Sequence, residues 1–186
     1  MASVVDICNR ALDKLGQGPI VSLEDGTKSA NLCNRNWPLI RDQVLRDHPW
    51  NFAVRRVILA PDVNNPAWGF EYRLPLPSNC LRLLEVQDLS TGQYQVEGKA
   101  ILANDSALKI RFIARVADPN DYDSLFQDAV ASRLAVELCE SLTQSNSKKE
   151  LLIQEYEMIL TAAKRVDGQE NPPVKFEEDE WLLVRY

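Results

Sequence analysis

Few residues in this chain could do chemistry. His48 is the single histidine, the side chain whose charge changes near neutrality. It extends the series Ala30, Cys33, Trp37, Ile40 and Val44, whose three- and four-residue steps trace one face of a helix. That position suits a partly buried structural histidine better than a general base. Glu177, Glu178, Asp179 and Glu180 stand in a row and on paper could hold a cation. A run of like charges ordinarily stays solvated and repels itself. A glycosidase needs two carboxylates facing across a cleft. With 27 acids in the chain some such pair is inevitable, so the number alone indicates nothing. The cysteines Cys8, Cys33, Cys80 and Cys139 form no CxxC pair, so zinc-type spacing is absent. There is no GxSxG elbow, P-loop or GxGxxG stretch. The expectation is a protein without catalytic residues, cofactor or metal.

Composition narrows the classes further. The chain has 186 residues, 45% hydrophobic and 26% charged, enough for one sizeable core and a small subdomain. A net charge of −6 argues against a nucleic-acid clamp, which needs clustered Lys and Arg, although a local basic face stays open. No window reaches membrane-spanning length, and the N-terminus lacks a basic region followed by an apolar run. The expected compartment is therefore reducing, with the four cysteines as free, mostly buried thiols.

The elements that would position any site can be read from periodicity. Residues 3–15 read as a helix opened by the Ser3–Asp6 capping pattern and closed by Gly16. Residues 27–48 read as a longer helix, which Pro38 should kink or split, since proline removes a backbone donor. Between 50 and 118 the pattern turns β-rich, with runs at 52–60, 69–75, 81–88, 93–103 and 107–116. The last is clearest. Leu108, Ile110, Phe112, Ala114 and Val116 point one way; Lys109, Arg111 and Arg115 point the other. That basic row is either a polyanion contact or the wet face of a sheet, and the second reading is preferred. Helical spacing returns at 121–143, with Phe126, Val130, Leu134, Leu138 and Leu142 at four-residue steps. A final helix is expected at 147–167, capped by Ser147 and ended by Gly168.

The fold class that follows is α+β: a four-helix bundle with an antiparallel β-rich insertion between helices 2 and 3, and an extended C-terminal tail. The expected division is 1–49 with 119–168 as the bundle, 50–118 as the β-rich lobe and 169–186 as the tail. Arg35, Arg41 and Arg46 lie off the apolar stripe of helix 2 and, with Lys109, Arg111 and Arg115, could pair with acids of a neighbouring subunit.

Two stretches carry a resemblance. "RDHPWNFAVRR" (46–56) closes a helix and enters the β-rich lobe, and "YRLPLPSNCLRLLEV" (72–86) has the pattern Tyr-x-Leu-Pro-x-x-x-Cys-Leu-Arg. With the opening "ICNRALDKLGQGPIVSLEDGTKSANLCNRNWPLIRDQVLRDHPW", they resemble the tail tubular protein A family, the head-to-tail adaptors of short-tailed bacteriophages. The likeness runs from about 3 to 165, in order and length. Its motifs are apolar, aromatic and turn residues, each modestly specific and more so in combination.

The resemblance implies a structural virion protein without enzymatic activity, assembled in the host cytoplasm and placed at the head–tail junction. Its expected partners are copies of itself in a ring of about twelve, the portal protein above and the tail nozzle protein below. DNA would pass through the lumen without specific binding, and no membrane is involved. Net negative charge suits a channel that must let phosphate slide, and a closed ring needs a heterologous interface between different faces of the same chain. The tail fits this picture. Pro172 and Pro173 stiffen a spacer, the acidic run keeps it soluble, and Phe176, Trp181, Leu182, Val184 and Tyr186 are anchors without a home in their own domain. They are expected to dock on a neighbour or on the portal. Two rival readings remain: a virion-associated cell-wall or polysaccharide hydrolase, which needs a carboxylate pair in a cleft, and a nucleic-acid-binding module working through Lys109, Arg111 and Arg115.

Overall fold

A computed structural model describes residues 2–87, 89 and 92–170. Over the described residues the chain is α+β, with four α-helices and two small antiparallel sheets of three strands each. Helix α1 (Val4–Leu15) begins with the expected reciprocal cap: Asp6 N donates to Ser3 Oγ at 3.1 Å and Ser3 N donates to Asp6 Oδ2 at 2.9 Å. Ser3 Oγ also donates to Asp6 Oδ2 at 2.7 Å, and this bond, with the one from Ser3 N, holds the Asp6 carboxyl below its ordinary pKa. Gly16, at φ 70°, ends the helix in the left-handed region that favours glycine.

Helix α2 (Lys28–Asp47) starts from a Thr27 cap and runs without interruption through Pro38, so the expected split does not occur. Proline costs the helix only its own missing donor and the crowded preceding carbonyl. Trp37 and Ile40, on either side, are buried and keep the two halves in register.

Helix α3 (Ser124–Thr143) is the hub. It packs against α1, α2 and α4, whereas α1 and α2 barely meet each other. Besides the anticipated Phe126, Val130, Leu134 and Leu138, it buries Ala129, Ala131, Ala135, Val136 and Cys139 on its other sides. The small side chains let neighbouring backbones approach from several directions.

Helix α4 (Asn146–Gln169) corrects two expectations. Its cap is Ser145, which accepts from Lys148 N at 3.3 Å, and not Ser147. It continues through Gly168, because Asp167 just before it is fastened to the rest of the protein (below).

The β-region lies between α2 and α3 in the chain. Strands β1 (Val54–Leu59), β6 (Leu108–Ala114) and β3 (Cys80–Val86) form one sheet in the order β1-β6-β3. Strands β2 (Tyr72–Pro75), β5 (Ala100–Ala103) and β4 (Tyr94–Glu97) form the other, in the order β2-β5-β4. The strands fall within or near the expected runs, and 93–103 divides into β4 and β5 around Gly98 and Lys99. Both of those residues have positive φ, as a two-residue hairpin turn requires.

Two apolar cores result. The helices, Ile113 and Val116 enclose one. The two sheets enclose the other, built from Leu59, Leu74, Val86, Ile101, Leu108, Ile110 and Phe112 among others. Strand β6 belongs to both, because alternate residues face opposite ways. Strand β3 reaches both cores differently. Register shifts between Cys80 and Arg82 and between Leu83 and Glu85 turn Leu81 and Leu84 to the helices, while Leu83 and Val86 face the sheet core.

The two crossings between helices and sheets are pinned by aromatics. Trp50, Phe52, Tyr122 and Phe126 pack together, Trp50 stacked on Phe52 and Phe126 edge-on to the other three, with centroid spacings such as 5.1 Å for Trp50–Phe126 and 5.0 Å for Tyr122–Phe126. The polar tips of two rings are satisfied by backbone: Trp50 Nε1 donates to Val44 O at 2.9 Å, and Tyr122 Oη to Val116 O at 2.8 Å. Burial pushes the Tyr122 phenol up to about 12. No helix among the described residues is long and apolar enough to cross a membrane.

Candidate functional site

The sequence-predicted basic row lies on the β1-β6-β3 sheet. Register places Arg56 opposite Arg111, Ile58 opposite Lys109 and Glu85 opposite Arg111. All share the face that carries Ile113. Helices cover the Ile113 end of that face; the other end stays open. There a groove of about 670 Å³ is lined by Arg56, Ile58, Glu85, Gln87, Lys109 and Arg111, with Val57 and Ile110 at its edges.

The groove lining holds three cations, Arg56, Lys109 and Arg111, and one carboxylate, Glu85. Arg111 Nη2 lies 3.1 Å from Glu85 Oε2, the one carboxylate in the lining. Arg56, directly across from Arg111, has no carboxylate partner among the described residues. Like charges directly opposite on neighbouring strands disfavour pairing. Ile58, 65% exposed, supplies an apolar centre. The groove therefore offers cations around a hydrophobic patch, suited to an anion with an apolar part.

The other predicted arginines have different fates. Arg115 Nε donates to Asp42 Oδ2 at 2.8 Å, and Arg41 Nε to Asp42 Oδ1 at 2.8 Å, so one α2 carboxylate holds both. Arg46 donates to the Leu81 carbonyl, and Arg82 Nη1 donates to Arg46 O at 3.1 Å. These bonds tie the C-terminal half of α2 to the sheet within one chain. Arg35 is exposed on α2. Phe176, Trp181, Leu182, Val184 and Tyr186 lie outside the described residues.

His48 is at the C-terminal end of α2, in the half-buried position its spacing implied. Its Nε2 lies 3.0 Å from Asp167 Oδ2, and its ring meets Trp50 edge-on at 4.8 Å. Asp167, only 8% exposed, also accepts from Asn51 N at 2.9 Å, while Asn51 Nδ2 donates to Asp167 O at 2.7 Å. A second bond from Asn51 Nδ2 reaches Glu170 Oε2 at 3.1 Å. Lys164 adds an ion pair to Asp47 at 2.7 Å. This clasp fastens the end of α4 to the start of the β-region. Sequence reasoning missed it because its partners are more than a hundred residues apart, and a lone Asp near a helix end gives no signal.

A second uncovered surface runs along α4. Leu151, Met158 and Val166 are 66%, 67% and 42% exposed. Met158, Ala162 and Val166 share a shallow depression with Gln154, Thr161 and Arg165. Trp68 and Val63, in the segment between β1 and β2, are 87% and 96% exposed.

All four cysteines are free; Cys8, Cys33 and Cys139 are buried and Cys80 is half-buried. Among the described residues no group of His, Cys, Asp and Glu is arranged to hold a metal ion. No protein-family model matches the chain, and no curated protein matches it either.

Proposed function

We propose that this protein is a head-to-tail adaptor of a short-tailed phage virion, acting by docking rather than by catalysis. The observation that carries the reading is the apolar surface left uncovered on separate elements: Leu151, Met158 and Val166 along α4, and Trp68 and Val63 beyond β1. Apolar residues gathered along one outer helix face suit a chain that meets a partner there. In this reading the helices act as a four-helix bundle (1–49 and 119–168), the β-rich insertion (50–118) is a separate lobe, and about twelve copies close a ring. The outer face of α4 is one side of the subunit interface. Portal protein lies above the ring and the tail nozzle below, and DNA passes through the lumen. Phe176, Trp181, Leu182, Val184 and Tyr186 are the anchors that engage the portal or a neighbour.

The test is mass in solution by light scattering, for the chain alone and mixed with portal protein. A ring-sized complex that forms only with portal is expected. Deleting 172–186 should abolish portal binding and leave the helical circular dichroism unchanged. A chain that stays monomeric beside the portal would overturn the reading.

The basic sheet face supports a second reading, nucleic-acid contact through Arg56, Lys109 and Arg111. It requires duplex binding that weakens steeply with salt.

A further inference from the structure

The open face of the β1-β6-β3 sheet sets Arg56, which has no carboxylate partner among the described residues, beside the exposed Ile58, and its occupant can be argued from the same chain. The described chain ends at Glu170, which Asn51 holds just ahead of β1. From Asn51 a three-residue 3-10 turn leads into β1, so Ile58 lies roughly 20 Å further on at strand and 3-10 rises. Residues 171–176, with Pro172 and Pro173 among them, span at most about 20 Å when extended. The next residues are Glu177, Glu178, Asp179 and Glu180, then Trp181, Leu182, Leu183 and Val184. Reach, charge and apolar content all match the groove.

We propose that in the free chain, before any partner is met, residues 177–184 seat on this sheet face of their own molecule. The acids face Arg56 and Arg111, with Lys109 adding to the positive field, and the apolar residues cover Ile58. A nucleic-acid backbone would satisfy the cations and leave Ile58 without a counterpart. The seat covers the apolar residues of the segment in the free chain. This inference concerns the unassembled chain and does not need the adaptor reading.

The experiment uses the full chain with p-benzoylphenylalanine in place of Ile58, a position exposed enough to accept it. After illumination and trypsin cleavage at Lys175 and Arg185, residues 176–185 emerge as one peptide. The expected result is a link from position 58 to that peptide within chains of monomer mass. Its yield should drop several-fold at about 1 M salt, where the screening length is ~3 Å. Arg56→Glu should lower the yield in the same way without changing the melting temperature. Three results overturn the proposal. One is no link, or links only elsewhere in the chain. Another is links that join isotopically light to heavy chains, which makes a second copy the occupant. The third is a short DNA duplex captured at position 58 while the tail peptide is released. A failure here leaves portal binding untouched, so the two readings fail separately.

Discussion

Helices α3 and α4 are neighbours of similar length with opposite relations to water. Ten of the residues in α3 are buried, around its circumference; in α4 only Leu152, Ala163 and Asp167 are. A helix apolar all round must be surrounded, and α3 is, by α1, α2 and α4. A helix with one covered side leaves its remaining apolar residues to solvent or to a partner. The difference separates the part of the molecule that holds the fold from the part available for contact. It also shows why α4 needs its clasp. Its apolar contacts with the core run from Leu152 to Ala163, and beyond them its C-terminal end is held by hydrogen bonds and charge, through Asp167 to His48 and Asn51.

The largest effect should come from the hub. Phe126→Ala removes a fully buried ring that touches Trp50, Phe52 and Tyr122, and should cost about 3–5 kcal/mol. Denaturant unfolding measures this, and a loss under about 1 kcal/mol would break the distinction drawn for α3. Next is the clasp. Asp167→Ala leaves the Asn51 N–H and the His48 ring without their acceptor, a loss of about 1–3 kcal/mol. Hydrogen exchange should then rise first in the last turns of α4. Equal acceleration across α3 would mean that the two helices do not open separately.

The aromatic junction offers a pH test. The Tyr122 phenol is raised from 10.0 to about 12 by burial, so the fold favours its protonated form. Its contribution to stability is complete below pH 10 and is lost as pH rises toward 12. Tyr122→Phe should flatten that decline and lose only the bond to Val116 O. An unchanged alkaline slope would place the titration elsewhere.

The smallest effect on stability should be on the open side of α4. Met158→Asp should shift unfolding by no more than about 0.5 kcal/mol, yet prevent the ring-sized complex that forms with portal protein, measured by sedimentation. If that complex still forms, the subunit surface lies on another element.

Much of the local structure was legible in the residues themselves. Ser3 and Asp6 announced the start of α1, and the alternation at 108–114 announced β6, because caps and period-two patterns are short-range signals. The half-buried place of His48 followed from its spacing. Less was legible where the deciding partner is distant. Pro38 stays within one helix because buried neighbours hold both halves. Gly168 does not end α4 because Asp167 beside it is bonded to residues near position 50. The run "CLRLLEV" shows no clean alternation, since its register shifts serve two cores at once.

The candidate site divides the same way. Sequence alone placed Lys109 and Arg111 on one side of a strand. Only pairing with β1 and β3 brought Arg56, Ile58 and Glu85 beside them, and only the position of the helices decided which end of that face stayed open. Local order is written in neighbouring residues, where backbone geometry fixes the repeat. Which faces are covered depends on contacts between segments a hundred residues apart, and those are settled when the chain packs.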